Sequence, residues 1–205
     1  MTDGGARIDH QIAALRRALQ ASGAPSSDFD LNPGTVLPEG RKLREAGVLV
    51  AFVPRADGLD LVLTKRSSRL KHHPGQIAFP GGKVDPVDDG PVAAALREAH
   101  EEVGLPPASV EILGTMPAHE TVTGFLVTPV LGLVRGGFDQ RPEPGEVAEI
   151  FRVPFDHVTD PANFRIEGRR WRGQRRLYYV APFGPYYIWG ATARMLRALA
   201  ARMHP

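Results

Sequence analysis

Three glutamates close to residue 100 have the types and the spacing needed to hold a metal ion. Glu98, Glu101 and Glu102 stand at positions i, i+3 and i+4, so on a helix they share one stripe. Like charges at these spacings repel, and a helix C-terminus favours cations over carboxylates. A solvated acidic surface is the alternative, but this stripe borders the apolar face of the helix. A hard divalent cation, Mg²⁺ or Mn²⁺, would relieve both conflicts, because it prefers carboxylate oxygen and bridges to phosphates.

The helix that carries this stripe is predicted over residues 90–104. Asp88 or Asp89 can cap its N-terminus, and Pro91 suits its first turn. Gly104 is placed to end it. The three carboxylates therefore lie in the second half of the helix.

A glycine pair and a basic loop precede the helix. Gly81-Gly82 predicts a turn in which the backbone approaches a ligand closely, so Gly82 is expected to face the metal and both glycines the substrate. Residues 65–76 predict an irregular basic loop. Three of its side chains are candidates for binding substrate phosphates: Arg66, Arg69 and Lys71. An ordinary solvated basic loop is the alternative.

Hydrophobic patterns predict the elements that must position these groups. Apolar residues at spacings of three and four indicate a short helix between Ile8 and Leu19, followed by a loop or arm to Gly40. Strands are predicted at residues 46–52, 59–64, 110–116, 125–134 and 146–153, and a last helix at 188–203. Strands interleaved with two principal helices indicate an α/β sandwich. We expect a helix and arm over 1–43 and one domain over 44–205.

Composition excludes several classes of protein. The chain has 205 residues, no cysteine and a formal net charge of +2. Disulfide frameworks, thiolate metal sites and cysteine nucleophiles are therefore excluded, and the charge balance does not favour a nucleic-acid partner. No apolar run approaches the ~20 residues that span a bilayer. The first 20 residues lack the apolar core of a signal peptide, so a cytoplasmic protein without membrane contact is expected.

Residues around the stripe together resemble the signature of a known enzyme family. They are Gly82, Asp88, Arg97-Glu98, Glu101-Glu102, Gly104 and Leu105, and the pattern resembles the Nudix box of Nudix hydrolases. Asp88 stands where the family has Glu, and eight residues rather than seven separate it from Arg97. The role of Asp88 therefore stays open between helix cap, ligand and ion-pair partner of Arg97, and Asp89 can share it.

The resemblance extends to one branch of that family. Leu63–Ser67, Leu70, Gly75 and Phe79–Gly82 resemble the additional motif of coenzyme A diphosphatases, and Thr123–Phe125, Val127–Val130 and Ile188–Ala193 are similar to that branch as well. The resemblance covers about residues 44–200. It implies the Nudix fold, a mixed β-sheet sandwiched between helices. It also implies Mg²⁺- or Mn²⁺-dependent hydrolysis of coenzyme A or its thioesters to 4′-phosphopantetheine, or its acyl form, and adenosine 3′,5′-bisphosphate.

Roles for individual residues follow from the stripe and from this resemblance. Glu98 and Glu102 are expected as metal ligands, and Glu101 as a third ligand or the group that positions the attacking water. Arg97 lies about a quarter turn off the stripe, so an ion pair that orients Glu98 or the loop is expected. A carboxylate from a distant loop commonly completes Nudix sites, which makes two residues candidates for the general base: Glu120 and Glu146.

Two other functions stay open at this point. One is a Nudix hydrolase acting on another nucleoside diphosphate derivative, such as ADP-ribose or NADH. The other is a catalytically silent ligand sensor on the same fold, although such a protein is expected to lose the acidic residues that remain here. A homodimer is expected by analogy with other Nudix enzymes.

Overall fold

A computed structural model describes residues 3–171 and 173–204 of the chain. The helices are α1 Asp3–Gln20, α2 Gly90–Val103, α3 Phe155–Thr159 and α4 Gly190–Met203. The strands are β1 Ser26–Ser27, β2 Arg44–Arg55, β3 Gly58–Arg66, β4 Ile77–Ala78, β5 Gly81–Lys83, β6 Val110–Thr115, β7 His119–Glu120, β8 Phe125–Val134, β9 Val147–Pro154, β10 Arg165–Trp171 and β11 Gln174–Val180. Short 3₁₀ turns cover Pro107–Ser109 and Pro161–Asn163. None of the helices in these described ranges combines the length and apolar character needed to cross a bilayer.

The first nine strands form one mixed sheet around β2. Strand β2 pairs in parallel with β8 and antiparallel with β3. Beyond β8 lie β6 and β7, and beyond β3 lie β4 and β9. Parallel and antiparallel pairs in one sheet give the predicted mixed architecture.

The β2–β3 pair opens towards the end of the sheet at which the glycine pair lies. Strand β3 pairs with β2 only over Phe52–Arg55, whereas β5 pairs with β2 at Ala46–Val48. Strand β4 pairs with the diverging end of β3. The segment from β4 to β5 thus fills the gap between the two central strands and brings Gly81 and Gly82 into the sheet.

The turn predicted at Gly81-Gly82 is therefore wrong, because both residues belong to strand β5. The reason is local crowding that only glycine tolerates. A Cβ at Gly81 would lie 2.4 Å from the Gly47 carbonyl oxygen, and the residue has a φ of +153°. The two glycines serve close packing in a strand instead of a reversal of the chain.

Helices cover both faces of the sheet, as the sandwich prediction requires. Helix α2 packs on one face against a small aliphatic cluster that includes Leu49, Ala51 and Val53 of β2. Alternate residues such as Val50 and Phe52 point to the other face, where they join the larger core under α1, α3 and α4. The two-residue period of a strand thus divides β2 between two cores.

Outside the sheet, β10 and β11 form an antiparallel hairpin that is rich in arginine. Residue 172, between the two strands in the sequence, lies outside the described ranges. The arm predicted as a loop, residues 21–43, contains the short strand β1, which pairs in parallel with β7. The remaining predicted strands and helices are present, with ends that differ by a few residues.

Candidate active site

The three glutamates of the stripe differ strongly in their exposure to solvent. Glu102 is 5% exposed, the side chain of Glu98 is 18% exposed, and that of Glu101 is 56% exposed. Helix α2 ends directly after them at Gly104, which has a φ of +75° and donates its N–H to the helix carbonyls, as the predicted glycine stop requires. The stripe therefore runs from a buried carboxylate to a solvated one at the C-terminal end of α2.

Strand β5 lies against the buried part of this stripe. The N–H of Gly81 donates to Oε2 of Glu102 at 3.2 Å. A Cβ at Gly82 would lie 2.4 Å from Oε1 of Glu98, which is closer than real side chains approach. The glycine pair thus lets the backbone of β5 lie directly against both carboxylates.

Burial makes it unfavourable to ionise the inner carboxylates. Burial raises the pKa of Glu102 to about 7, and the negative charges of Glu98 and Glu146 add to the shift. The N–H of Gly81 and the positive charge of Arg66 oppose it. Burial likewise raises the pKa of Glu98, against a hydrogen bond from Arg97. Perturbed carboxylates in one place are typical of functional sites.

Arg97 connects the stripe to the loop before the helix. Its guanidinium donates to both carboxylate oxygens of Asp88, at 2.9 and 2.8 Å. The same group donates to Glu98 at 2.9 Å and to Glu101 at 3.1 Å. The hydrogen bonds from Arg97 hold the pKa of Asp88 down at about 2, and those same contacts raise the pKa of Arg97. The contacts are those of the ion pair expected for Arg97.

The capping role offered for Asp88 or Asp89 is wrong. Asp89 occupies the position before the helix, but its side chain makes no capping hydrogen bond. Asp88 instead accepts the N–H of Asp85 at 2.8 Å and pairs with Arg97. The bidentate guanidinium is a stronger partner for this carboxylate than a backbone N–H.

Glu146 and Glu120 lie in different parts of the molecule. The turn that holds Glu146 is joined to the end of α2, because the N–H of Glu143 donates to the Glu102 carbonyl at 3.0 Å. The charge of Glu146 raises the pKa of both Glu98 and Glu102. Glu120 lies on β7, and strands β8 and β2 stand between β7 and β5 in the sheet. At the usual strand spacing, β7 and β5 are therefore about 14 Å apart. Glu120 pairs there with Arg41, so the structure brings Glu146 to the stripe and leaves Glu120 apart.

The basic loop also begins beside the stripe. The loop predicted over residues 65–76 starts two residues later, because Lys65 and Arg66 are the last residues of β3. Arg66 is partly buried, and its Nε is buried without a hydrogen-bond partner in the described part of the chain. The N–H of Ser67 donates to the Glu146 carbonyl at 2.7 Å. The two ends of the loop are joined by a hydrogen bond from the Arg66 N–H to the Gln76 carbonyl at 2.9 Å. Arg69 and Lys71 are exposed further along the loop, as are His72 and His73.

The donor chemistry of the stripe fits a hard divalent cation. Within residues 3–171 and 173–204, no three histidine or acidic side chains are grouped tightly enough to form a complete metal cage. Mg²⁺ does not require one, because it is usually held by one or two protein carboxylates together with substrate phosphates and water. Glu98 and Glu102 supply two oxygen donors whose ionised forms are unfavourable without a nearby positive charge.

Gly47 is a residue of this region that sequence reasoning missed. A Cβ there would lie 1.8 Å from the Pro91 carbonyl oxygen, so glycine is required where α2 crosses β2. A glycine inside the valine-rich run of β2 was the available signal, since glycine in a strand often marks close backbone approach.

Comparisons with known proteins agree with this arrangement. The model of the NUDIX domain matches residues 43–172. The chain is 41% identical over 160 residues to the uncharacterized Nudix hydrolase NudL of Enterobacter sp. (strain 638), covering 78% of this chain and 83% of that protein. It is 40% identical over 177 residues to the uncharacterized Nudix hydrolase NudL of Citrobacter koseri, covering 86% of this chain and 92% of that one.

Among solved structures, a MutT/nudix family protein from Enterococcus faecalis superimposes with a TM-score of 0.50 at 18% identity, covering 96% of this chain and 74% of that one. That likeness concerns the fold alone. The domain match and the sequence relatives, taken with the stripe on α2 and the glycine strand that faces it, establish that the chain belongs to the Nudix family and is a hydrolase.

Proposed function

We propose that the protein hydrolyses the diphosphate bond of coenzyme A or of its thioesters. The products are 4′-phosphopantetheine, or its acyl form, and adenosine 3′,5′-bisphosphate. The single observation that carries the proposal is the position of Arg66. Arg66 belongs to the Leu63–Ser67 segment of the coenzyme A motif, acts electrostatically on Glu102, and has a buried Nε–H without a hydrogen-bond partner among residues 3–171 and 173–204. Such a group is suited to an anionic oxygen of a substrate held at the stripe.

In the proposed site, Glu98 and Glu102 hold Mg²⁺ or Mn²⁺, with Glu101 and the backbone of Gly82 as further donors. The bound cation supplies charge neutralisation of the diphosphate and lowers the pKa of the attacking water. Arg97 is a positioning residue, since it is held by Asp88 and holds Glu98 in turn.

The reaction requires a water oxygen to form a bond to one phosphorus while the bridging P–O bond breaks. The water proton passes to a carboxylate, and the bridging oxygen leaves on the second phosphate. We assign the role of proton acceptor to Glu146, because it lies near the stripe and Glu120 lies several strands away. Arg66, Arg69 and Lys71 bind the phosphates of the substrate, together with the backbone of Gly81 and Gly82.

The test is product analysis with intact protein. Coenzyme A, ADP-ribose and NADH are each incubated with Mg²⁺ or Mn²⁺, beside Glu102→Gln and the control Glu39→Gln, an exposed carboxylate on the arm. Release of adenosine 3′,5′-bisphosphate by the wild type and the control, but not by Glu102→Gln, supports the proposal. Preference for ADP-ribose or NADH would assign another nucleoside diphosphate derivative as substrate. Turnover of none of them would favour a ligand sensor.

A homodimer that acts on a small molecule is proposed on the family resemblance alone, and a cytoplasmic location on the sequence of the first 20 residues. Sedimentation velocity of the purified chain tests the oligomeric part. A single species at the monomer mass would exclude the dimer.

A further inference from the structure

The first turn of helix α4 contacts the segment that follows the basic loop, residues 67–76. The hydroxyl of Thr192 donates to the carbonyl of Ile77 at 3.0 Å, between two residues that lie 115 positions apart in the chain. Thr192 is 4% exposed and Ile77 is 3% exposed. A buried carbonyl that loses its donor carries a desolvation penalty, so this hydrogen bond fixes where the two elements meet.

This contact lies one residue away from the closing end of the basic loop. Ile77 directly follows Gln76, the last residue of the loop. The carbonyl of Gln76 accepts the N–H of Arg66 at 2.9 Å, and the charge of Arg66 acts on Glu102 of the stripe. One peptide unit therefore separates the carbonyl that Thr192 holds from the carbonyl that holds Arg66.

The opening end of the same loop is held by a different element. The N–H of Ser67 donates to the carbonyl of Glu146 at 2.7 Å. Between the two ends, the side chains of Arg69 and Lys71 are exposed. The base of the loop, fixed on one side by the turn of Glu146 and on the other by α4, therefore sets the direction in which its basic side chains point.

The hydroxyl of Thr192 bonds outside its own helix. A threonine inside a helix often donates to the carbonyl of the preceding turn, as Thr159 of α3 does to Phe155 at 2.9 Å. Thr192 is the third residue of α4, and it reaches across to β4 instead. The hydroxyl thus joins two separate elements and does not serve the helix itself.

A glycine lets α4 begin close to the loop. Gly190 has a φ of +64°, and a Cβ there would lie 3.8 Å from Nε2 of Gln76. Residues with a side chain rarely adopt such a φ. Behind this turn, Leu196 and Leu199 of α4 are buried in the larger core, so the helix offers a fixed reference for the loop.

We infer that Thr192 is a positioning residue for substrate binding. Through the Ile77 carbonyl it holds the closing end of the basic loop, and with it Arg66, in the place where the substrate phosphate is bound. The inference rests on the proposed function for the role of Arg66. It also gives a role to Ile188–Ala193, a segment without any charged residue that the proposed function leaves unused.

The first test replaces the hydroxyl of Thr192 in the intact protein. Thr192→Val keeps nearly the same shape but lacks the donor, whereas Thr192→Ser keeps the donor. We expect Thr192→Val to raise the KM for coenzyme A about tenfold, the scale of one weakened contact to a charged group, with kcat within about twofold of the wild type. Thr192→Ser should restore the wild-type KM. The rise in melting temperature on adding Mg²⁺ should be unchanged in both, because the stripe is not altered.

Thr159→Val is the matched control. Thr159 is also 4% exposed, and its hydroxyl also donates to a backbone carbonyl. It lies on α3, which follows Pro154 at the end of β9 opposite to Val147, the partner of Arg66. Both valine variants should lose stability, but only Thr192→Val should change the KM. A folded Thr192→Val protein with the wild-type KM would show that the hydroxyl serves the fold alone and would overturn the inference.

The second test follows the loop without any substrate. The amide of Arg66, which donates to Gln76, should exchange its hydrogen at least about tenfold faster in Thr192→Val than in Thr159→Val, because local opening of the loop base becomes easier. Equal exchange rates in the two variants contradict the inference.

A glycine pair decides if circular dichroism shows that Thr192→Val does not fold. Gly190→Ala strains the same turn of α4. Gly184→Ala is its control, since Gly184 also has a positive φ, +53°, and a Cβ there meets nothing within 4 Å. We expect a raised KM and faster exchange of the Arg66 amide for Gly190→Ala only. The same KM in both alanine variants would remove the link between α4 and the loop.

Failure of this inference is distinguishable from failure of the proposed function. Coenzyme A hydrolysis by the wild type, with an unchanged KM and unchanged exchange of the Arg66 amide in Thr192→Val, removes the role of Thr192 alone. Faster exchange of that amide in Thr192→Val, without hydrolysis of coenzyme A by the wild type, removes the coenzyme A assignment and leaves Thr192 as the residue that positions the loop.

Discussion

The carboxylate of Glu102 accepts the backbone N–H of Gly81 at 3.2 Å, which fastens the buried end of the stripe on α2 to strand β5. The two residues lie 21 positions apart in the chain and belong to elements on different layers of the sandwich. Through this contact the glycine strand holds the position of the carboxylate stripe. Changes in either element should therefore affect the site before they affect the fold.

Gly82→Ala should impair activity more than stability. The added Cβ would lie 2.4 Å from Oε1 of Glu98, and the end of a flexible side chain can move aside without disturbing the core. We expect activity to fall about 10- to 100-fold, as when the support of a metal ligand is lost, with a small change in melting temperature. Gly34→Ala is the control, since a Cβ there meets nothing within 4 Å. A Gly82→Ala protein with wild-type kcat/KM would argue against Glu98 as a ligand.

Gly47→Ala, in contrast to Gly82→Ala, should mainly reduce the stability of the protein. Its Cβ would lie 1.8 Å from the Pro91 carbonyl oxygen and 3.1 Å from the Ala95 nitrogen, and backbone atoms of a helix cannot move aside cheaply. We expect the free energy of unfolding to fall by about 1–3 kcal/mol or more, as for overpacking of a core. Urea denaturation followed by circular dichroism measures it. An unchanged midpoint would show that α2 shifts away from β2 without penalty.

The ion pair between Asp88 and Arg97 predicts an acid-sensitive contribution to stability. The pKa of Asp88 is about 2 in the folded protein, against 3.8 ordinarily. Because the pKa is lower in the folded protein, the ionised Asp88 stabilises the fold above about pH 4. That stabilisation is lost as the pH falls towards 2 and Asp88 becomes protonated. Asp88→Asn should therefore be less stable than the wild type near neutral pH, and the difference should shrink between pH 4 and pH 2.

The control for this prediction is Asp139→Asn. Asp139 pairs with Arg141 at 3.8 Å, but its side chain is 87% exposed, and exposed ion pairs contribute little to stability. Its unfolding curves should follow the wild type at every pH. A difference between Asp88→Asn and the wild type that stays constant down to pH 2 would contradict the assignment.

Glu102→Gln should raise the stability of the metal-free protein while weakening the binding of metal. The substitution removes a buried charge next to Glu98 and keeps an oxygen that can accept the Gly81 N–H. We expect a higher melting temperature than the wild type in chelator. Added Mg²⁺ should then raise the melting temperature of the wild type only, because a ligand stabilises the state that binds it. Equal Mg²⁺ shifts in the two proteins would remove Glu102 from the ligand set.

Glu146→Gln and Glu120→Gln should separate the two candidates for the general base. Glu146 lies near the C-terminal end of α2, and its charge raises the pKa of both Glu98 and Glu102. Glu120, on β7, pairs with Arg41 instead. We expect kcat to fall about 10²–10⁴-fold for Glu146→Gln, the usual contribution of general base catalysis, and to change little for Glu120→Gln. The reverse ranking would transfer the role to Glu120.

The sequence by itself determined helix α2 and the stripe on it. Pro91, Gly104 and the spacing of Glu98, Glu101 and Glu102 act within one or two helical turns, so their consequences can be inferred without knowing the rest of the fold. The apolar run at residues 46–52 is local in the same sense, and it predicted the strand β2.

Only the tertiary structure decided what lies opposite that stripe. Gly81-Gly82 became a strand because β2 and β3 diverge and leave a gap beside Gly47, and nothing near the glycines in sequence signals that gap. The carboxylate of Asp88 pairs with Arg97 and does not cap the helix. Glu146, and not Glu120, lies near the C-terminal end of α2. The positions of Gly81-Gly82 and of Glu146 depend on backbone partners tens of residues away, and pairing over such separations is set by the packing of the whole sheet, not by local preference.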